Sequence, residues 1–499
     1  KALLASGVRH GDIVAVWSPN LPEFAAIQFA CGKIGAIIAG LNTRFKTFEV
    51  AHVLAQSGAR MLIMVERFLK HDYPATLAEL GIVPDGGRCR AADYPELEWI
   101  VSLEPEPAAG FLPWEDLLRR GEDVAEAELA EAQAALHWSE PVLLQYTSGT
   151  TAAPKGALLN HRYALNVGQT LFFSMGVRRG EAILNTQPFY HIGGTCGALP
   201  TPLIMGCPVV IPLYYEAERV LQLIEREGCV ARTGFAAMYI MEMSHPNFGR
   251  YDTSSLRAGW CSGTPEVIRM VGERMNIPYL MLTYSSTEVG GTTSVWSDSF
   301  EQRSTTSGRP ITGTEVRIID PETGADKAVG EAGEILMRGW WQMNGYHRDP
   351  VQTARAVDAE GWVHTGDRGS VDADGCLKYI GRYKDMLKVG GENVAAEEIE
   401  GALLSHPKIR QAAIIGAPDP RLEEVPLAIV ELHEGQSATD EEIIGFCASR
   451  MANFRVPRYI RYVTEWPLTG SGKIQKHILR DIYAPEFVHL RQGATEPGA

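Results

Sequence analysis

Apolar positions in the first 65 residues change period several times. Asp12-Ile13-Val14-Ala15-Val16-Trp17 predicts a strand. From Leu21-Pro22-Glu23-Phe24 to about Lys33 the spacing is helical, with proline near the first turn, where its missing N–H costs nothing. Ala36–Ala39 reads as a strand, Thr47 to Ser57 as a helix and Met61–Val65 as a third strand. Such alternation predicts α/β layering around a mostly parallel sheet. Residues 84–140 are rich in Pro, Gly, Ala and Glu and lack a periodic face until Glu122 to Ala135, so they are assigned to the surface. Pro141–Gln145 is again a strand, and Leu158-Leu159-Asn160-His161 leads towards a helix.

From Lys384 a second α/β rhythm begins. Glu397 to Leu404 is helical with acids in its first turn, as the helix dipole favours. Gln411–Ile415 and Pro426–Leu432 read as strands, and Asp440 to Met451 as a helix. The expected division is a large unit over 1–383 and a small one over 384–499, with a frayed tail from Arg491. A chain of 499 residues is too long for one ordinary core, which agrees with two or more domains. It starts at Lys1 inside a helical pattern, so an N-terminal piece is expected to be missing.

Composition narrows the class of function. The formal net charge of −15 supplies no basic footprint for nucleic acid, although it leaves room for a local anion site. No apolar run approaches the roughly 20 residues of a membrane span. Eight scattered cysteines without a C-x-x-C pair read as buried small residues in a reducing cytosol, which implies a cytoplasmic protein.

Chemistry concentrates in a few stretches. Tyr146-Thr147-Ser148-Gly149-Thr150-Thr151-Ala152-Ala153-Pro154-Lys155-Gly156 offers hydroxyls, flexible backbone and a cation, the ingredients of an anion nest. It is not the usual nucleotide loop, because no hydroxyl follows Lys155. Tyr284-Ser285-Ser286-Thr287-Glu288 places an aromatic face, a hydroxyl and a carboxylate within five residues. Asp367, after Thr365-Gly366, has the form of a ribose-binding acid, with a simple turn cap as the bland alternative. Lys473 sits in Thr469-Gly470-Ser471-Gly472-Lys473-Ile474, an odd setting for a purely solvated lysine.

Taken in order, these stretches resemble the adenylate-forming superfamily, and within it the bacterial acyl-CoA synthetases. The resemblance covers nearly the whole chain and implies a large N-terminal domain of layered α/β subdomains with a small β-barrel-like part. A small mobile α+β C-terminal domain completes that expected fold. It further implies an ATP-dependent acid–thiol ligase: a carboxylic acid, fatty or aromatic, is converted to an acyl-adenylate and then passed to CoA, with ATP, Mg²⁺ and CoA as the small molecules required.

By resemblance, Thr147, Ser148, Gly149, Thr150, Thr151 and Lys155 hold phosphates, and Ser262, Gly263 and Thr264 lie along the adenine. Tyr284 packs on the adenine, Thr287 bonds the α-phosphate, Glu288 holds the metal, and Asp367 and Arg382 take the ribose. Lys473 bridges the reacting oxygens, Lys384 is the hinge, and Gly390 and Gly391 face the CoA channel. Tyr190, His191, Thr195, Phe235, Met238 and Cys261 are the expected acyl-pocket residues, His191 chiefly as wall although related enzymes raise a catalytic part for it. No acid occurs from Asn185 to Pro212, which disfavours an amino-acid substrate. A homodimer and peripheral contact with a membrane through an acyl substrate are compatible with the resemblance. Two departures from the family pattern, Ala152 and Ala396, stand where glycine and proline are usual. An acyl-AMP ligase that loads a carrier protein, a luciferase-type oxygenase and a non-catalytic nucleotide binder are the alternatives.

Overall fold

The computed structural model describes residues 1–147, 154–263, 265–389, 392–419, 421–468 and 473–487. Its first layer is an eight-stranded sheet. In spatial order the strands are Gly345–Tyr346, Lys155–Asn160, Pro141–Thr147, Ile37–Gly40, Ile13–Trp17, Met61–Met64, Trp99–Ser102 and Leu112–Pro113. The strands from Pro141–Thr147 to Leu112–Pro113 pair in parallel. Side chains alternate across this sheet, as a strand period of two requires. Val14 and Val16 enter one core cluster, while Ile13, Ala15 and Trp17 enter the other. With both faces covered, the strands read as unbroken apolar runs, which is why the sequence betrayed them.

One expectation needs correction, and one strand was not foreseen. Trp99–Ser102 is a buried strand of the main sheet, paired in parallel with Met61–Met64. Four residues give too short a run to stand out in a Pro- and Gly-rich stretch. Lys155–Asn160 is likewise a strand, folding back antiparallel on Pro141–Thr147, and the helix His161–Ser174 starts only after it. Asn160 caps that helix, its side chain accepting from the Tyr163 N–H at 2.9 Å.

The second layer is a five-stranded parallel sheet: Val209–Val210, Ile183–Asn185, Ala231–Phe235, Ala258–Ser262 and Tyr279–Met281. A four-stranded antiparallel sheet (Thr314–Ile319, Gly333–Gly339, Val363–Val371, Leu377–Arg382) follows. The C-terminal sheet joins Met386–Val389, Glu392–Ala395, Glu423–Leu432, Ile409–Asp419 and Tyr459–Tyr462 around its own core of Leu387, Ile399, Ile414 and Val430. Carboxyl ends of parallel strands are where open α/β sheets bind ligands. Here those ends include Thr147 and Phe235, which line one cleft.

Candidate active site

The cleft has a volume of about 2390 Å³, well above the roughly 300–1,000 Å³ of an ordinary small-molecule pocket. It has room for a nucleotide and a second substrate together. Its walls come from both units: Thr147, Lys155, His191, Phe235, Gly263, Tyr284, Thr287, Glu288, Asp367 and Arg382 from the large one and Lys473 from the small one, together with Lys384.

At one end an acid is held by an aromatic hydroxyl and a guanidinium. Tyr284 donates its O–H to Asp367 Oδ2 at 2.7 Å, and Arg382 Nε lies 3.2 Å from Oδ1. Asp367 is only 4 % exposed, and burial raises its carboxyl above the ordinary value against the pull of Arg382. The Tyr284 ring stacks on Tyr379, centroids 5.6 Å apart and planes 27° from parallel. Glycine makes this hairpin possible: Thr283–Tyr284 pairs with Thr292–Thr293, and a Cβ on Gly291 would stand 1.5 Å from the Tyr284 carbonyl oxygen.

Glu288, four residues beyond Tyr284, accepts from the Tyr346 hydroxyl through Oε1 at 2.8 Å. Lys155 donates to Gln352 Oε1 at 3.0 Å, and its ammonium lies 5.4 Å from the Tyr346 ring centre. Thr147, at the mouth of the same hairpin, donates to the Lys155 carbonyl at 3.4 Å. A carboxylate, an ammonium and two hydroxyls thus face the same space.

Lys473 reaches in from the small unit, its Nζ 5.7 Å from the centre of the Phe235 ring. Cleft walls surround it, although solvent filling the cleft still wets the side chain. Withdrawal from bulk water holds its ammonium below the ordinary lysine value, Arg382 adds to this, and Asp367 and Glu288 oppose it.

Phe235 also meets His191 edge-on at 6.4 Å and Trp260 at 5.7 Å. Burial, with Lys473 adding to it, pushes the His191 imidazole down to about 4, so it is neutral near pH 7. Its Nδ1 accepts from the Gly193 N–H at 3.2 Å, which leaves the ring proton on Nε2. Tyr190 shares this wall, its carbonyl accepting from the Gln145 amide.

Three expected pocket residues lie behind the wall. Thr195 is 2 % exposed and spends its hydroxyl on Gln145 Oε1 and the His191 carbonyl. Cys261 alternates with Trp260 along its strand, so Trp260 faces the cleft while Cys261 packs with Tyr239 in the core beneath. Met238 accepts at its sulfur from Thr186 and is absent from the cleft wall. Ser148, Gly149, Thr150, Thr151, Thr264, Gly390 and Gly391 lie outside the described residues, as does the side chain of Ser262. Sequence reasoning missed Gln187, Trp260, Tyr346, Gln352 and Tyr379, all of which line the cleft or pair with a residue that does. Gln187, Trp260 and Tyr379 stand within a few residues of positions the sequence did single out, whereas Tyr346 and Gln352 lie outside any such stretch.

Comparison with known proteins adds identity to this geometry. The AMP-binding enzyme family matches residues 1–347, and the AMP-binding enzyme C-terminal domain matches residues 398–473. A putative acyl-CoA synthetase, YngI of Bacillus subtilis, is 34% identical over 491 residues, 96% of this chain and 89% of that protein. A mitochondrial medium-chain acyl-CoA ligase, ACSF2 of Danio rerio, is 33% identical over 96% of this chain and 81% of its own length. Among solved structures, the anthranilate CoA ligase AuaEII in complex with anthranoyl-AMP superposes with a TM-score of 0.82 at 27% identity, covering 97% of this chain and 90% of that one. ATP-bound MatB from Rhodopseudomonas palustris reaches the same TM-score at 23% identity over 97% and 91% of the two chains, a likeness of fold.

Proposed function

The chain belongs to the AMP-binding enzyme family and is an ATP-dependent acyl-CoA ligase working through an acyl-adenylate, and on that premise we propose which of its groups carry each half-reaction. In the first half a carboxylate oxygen attacks the α-phosphorus of ATP and pyrophosphate leaves. In the second the CoA thiolate attacks the acyl carbonyl and AMP leaves. Neither step needs a covalent bond to the protein. The protein must hold the reactants in line and offset the charge that gathers between them.

Lys473 is assigned to that charge, lying between the carboxylate and the α-phosphate with Thr287 as a second donor. The observation that supports this most is the convergence of Lys473, Phe235, Asp367 and Glu288 on one cleft although they come from four distant parts of the chain. Asp367 and Arg382 take the ribose hydroxyls, Tyr284 and Tyr379 flank the adenine with Gly263, and Thr147 and Lys155 hold the phosphates. The donor set fits Mg²⁺: Glu288 keeps one oxygen beyond its bond with Tyr346, and this ion is commonly held by one or two carboxylates plus substrate phosphates. Bound there, it would neutralise phosphate charge.

A neutral His191 gives the acyl end a wall, with Phe235 and Trp260, suited to a medium-chain fatty or an aromatic acid. The names of the ACSF2 and AuaEII relatives support both. The small unit, taken from Lys384 onwards, is assigned a rotation about that residue between the two halves, because Lys473 serves only the first. Eight buried cysteines, none in a disulfide, support a cytoplasmic setting. The test is pyrophosphate release on carboxylic acids from acetate through long-chain fatty acids to benzoate and coumarate, with and without CoA. Turnover confined to one acid class and dependent on CoA is expected; release that CoA does not accelerate would point instead to a carrier-protein acceptor.

A further inference from the structure

Two side chains at the acyl end have polar atoms that are given no part in the chemistry above and find no hydrogen-bond partner among the described residues. Gln187 follows the strand Ile183–Asn185, lines the cleft and is 1 % exposed, yet neither its Nε2 nor its Oε1 meets a hydrogen-bonding group. Trp260 lines the same cleft, and its Nε1–H is buried and unpaired. Neighbouring polar groups are satisfied. Thr233 donates to Asn185 Oδ1 at 2.9 Å, Asn185 donates to the Gln187 carbonyl at 3.2 Å, and Thr186 donates to the Thr233 carbonyl at 3.0 Å. Native interiors seldom leave buried donors and acceptors unpaired, so three such atoms beside a ligand cavity call for an occupant.

Register places them on one surface. Asn185, Thr233 and Trp260 stand side by side on three parallel strands. Alternate positions share a face, so Phe235, two residues past Thr233, extends that face, with Gln187 following two past Asn185. Lys473 Nζ and the Trp260 ring each lie 5.7 Å from the Phe235 ring centre. Phe235 therefore neighbours both the indole and the cation assigned to the reacting carboxylate. The Gln187 side chain is positioned by packing: a Cβ on Gly193 would sit 2.6 Å from its Cγ.

We propose that Gln187 and Trp260 recognise an oxygen carried on the acyl chain, so that the preferred acid is hydroxy- or oxo-substituted. The indole donates to that oxygen, and the Gln187 amide either donates to an oxo group or accepts from a hydroxyl. This assignment rests on the acyl-CoA ligase reading above and deepens it. It adds no cation and no acid to the pocket, so it selects a neutral polar substituent.

The experiment measures kcat/KM for pyrophosphate release, with saturating ATP and CoA, on matched acids: octanoate against its hydroxy and oxo derivatives along the chain, and benzoate against the hydroxybenzoates. Wild type, Gln187→Met and Trp260→Phe are compared. At least one oxygen-bearing acid is expected to exceed its plain partner by roughly tenfold or more, the discrimination of a site with unpaired polar groups. Each variant should bring that ratio towards one through the KM for the acid, leaving the KM for ATP in place. Plain acids equal to or faster than their partners in every wild-type pair would overturn the proposal without any variant. So would a preference that survives in both variants. Absence of pyrophosphate with every acid would instead refute the ligase reading itself, a result distinguishable from equal turnover within pairs.

Discussion

Lys155 and Lys473 each stand next to a glycine in the sequence, but their surroundings separate their work. Lys155 is tied to Gln352 in the large unit, whereas Lys473 arrives from the small one and faces Asp367, Glu288 and Arg382. Lys473→Ala is expected to lower adenylation by roughly 10²–10³-fold, as removal of a group from developing charge does. Thioester formation from supplied acyl-adenylate should be little changed, and stopped-flow measurement of the two halves separately checks this. His191 makes a second prediction. Its imidazole, held down to about 4 by burial, takes up its proton only near that pH, whereas the unfolded chain does so near its ordinary value of 6.5. The unfolded state therefore binds more protons between the two values, so the contribution to stability is full above 6.5 and is lost as pH falls towards 4. Urea midpoints from pH 7.5 to 4.5 should fall less steeply for His191→Asn than for wild type, and equal slopes would contradict the assigned shift.

Among the elements, the strand Ala231–Phe235 and the helix Ala236–Met243 are joined by a buried ion pair. Arg232 and Glu242 are both fully buried, Glu242 also accepts from Tyr215 at 3.2 Å, and Arg232 lies 4.0 Å from the Tyr239 ring centre. The pair orients the helix that begins directly after Phe235. Glu242→Ala should cost about 3–5 kcal/mol by stranding the guanidinium, and Arg232→Met with Glu242→Leu should recover much of the loss. Chemical denaturation of the single and double variants measures both. Part of the secondary structure was legible beforehand: Thr47–Ser57 has the bounds its apolar spacing predicts, and Pro22 opens its helix. The failures have physical causes. Trp99–Ser102 is too short for a periodic signal, and Lys155–Asn160 is a strand because it pairs with Pro141–Thr147, a tertiary circumstance that outweighs local preference.

At the scale of the whole molecule the two units meet through more than the active site. Leu404, at the end of the helix Ala396–Leu404, packs against the core cluster of the second parallel sheet, to which Leu223, Tyr239 and Val267 belong. This contact favours the arrangement that presents Lys473. Leu404→Ser should therefore slow pyrophosphate formation several-fold by shifting the population away from that arrangement, and spare the thioester half. Equal slowing of both halves would argue against a rotation about Lys384.

By itself the sequence determined the family, the α/β rhythm and the motif residues, because these are written in neighbouring positions and local periodicity. It could not name the partners those residues take. Tyr284 meets Asp367 from 83 residues away, Tyr346 meets Glu288 from 58, and Gln352 meets Lys155 from 197. Nor could it show that Thr195 and Cys261 turn away from the cleft while Gln187 and Trp260 line it. Only tertiary structure decided this, since strand register and packing choose which face of each strand meets the cavity, and chain closure chooses which distant groups share a charge.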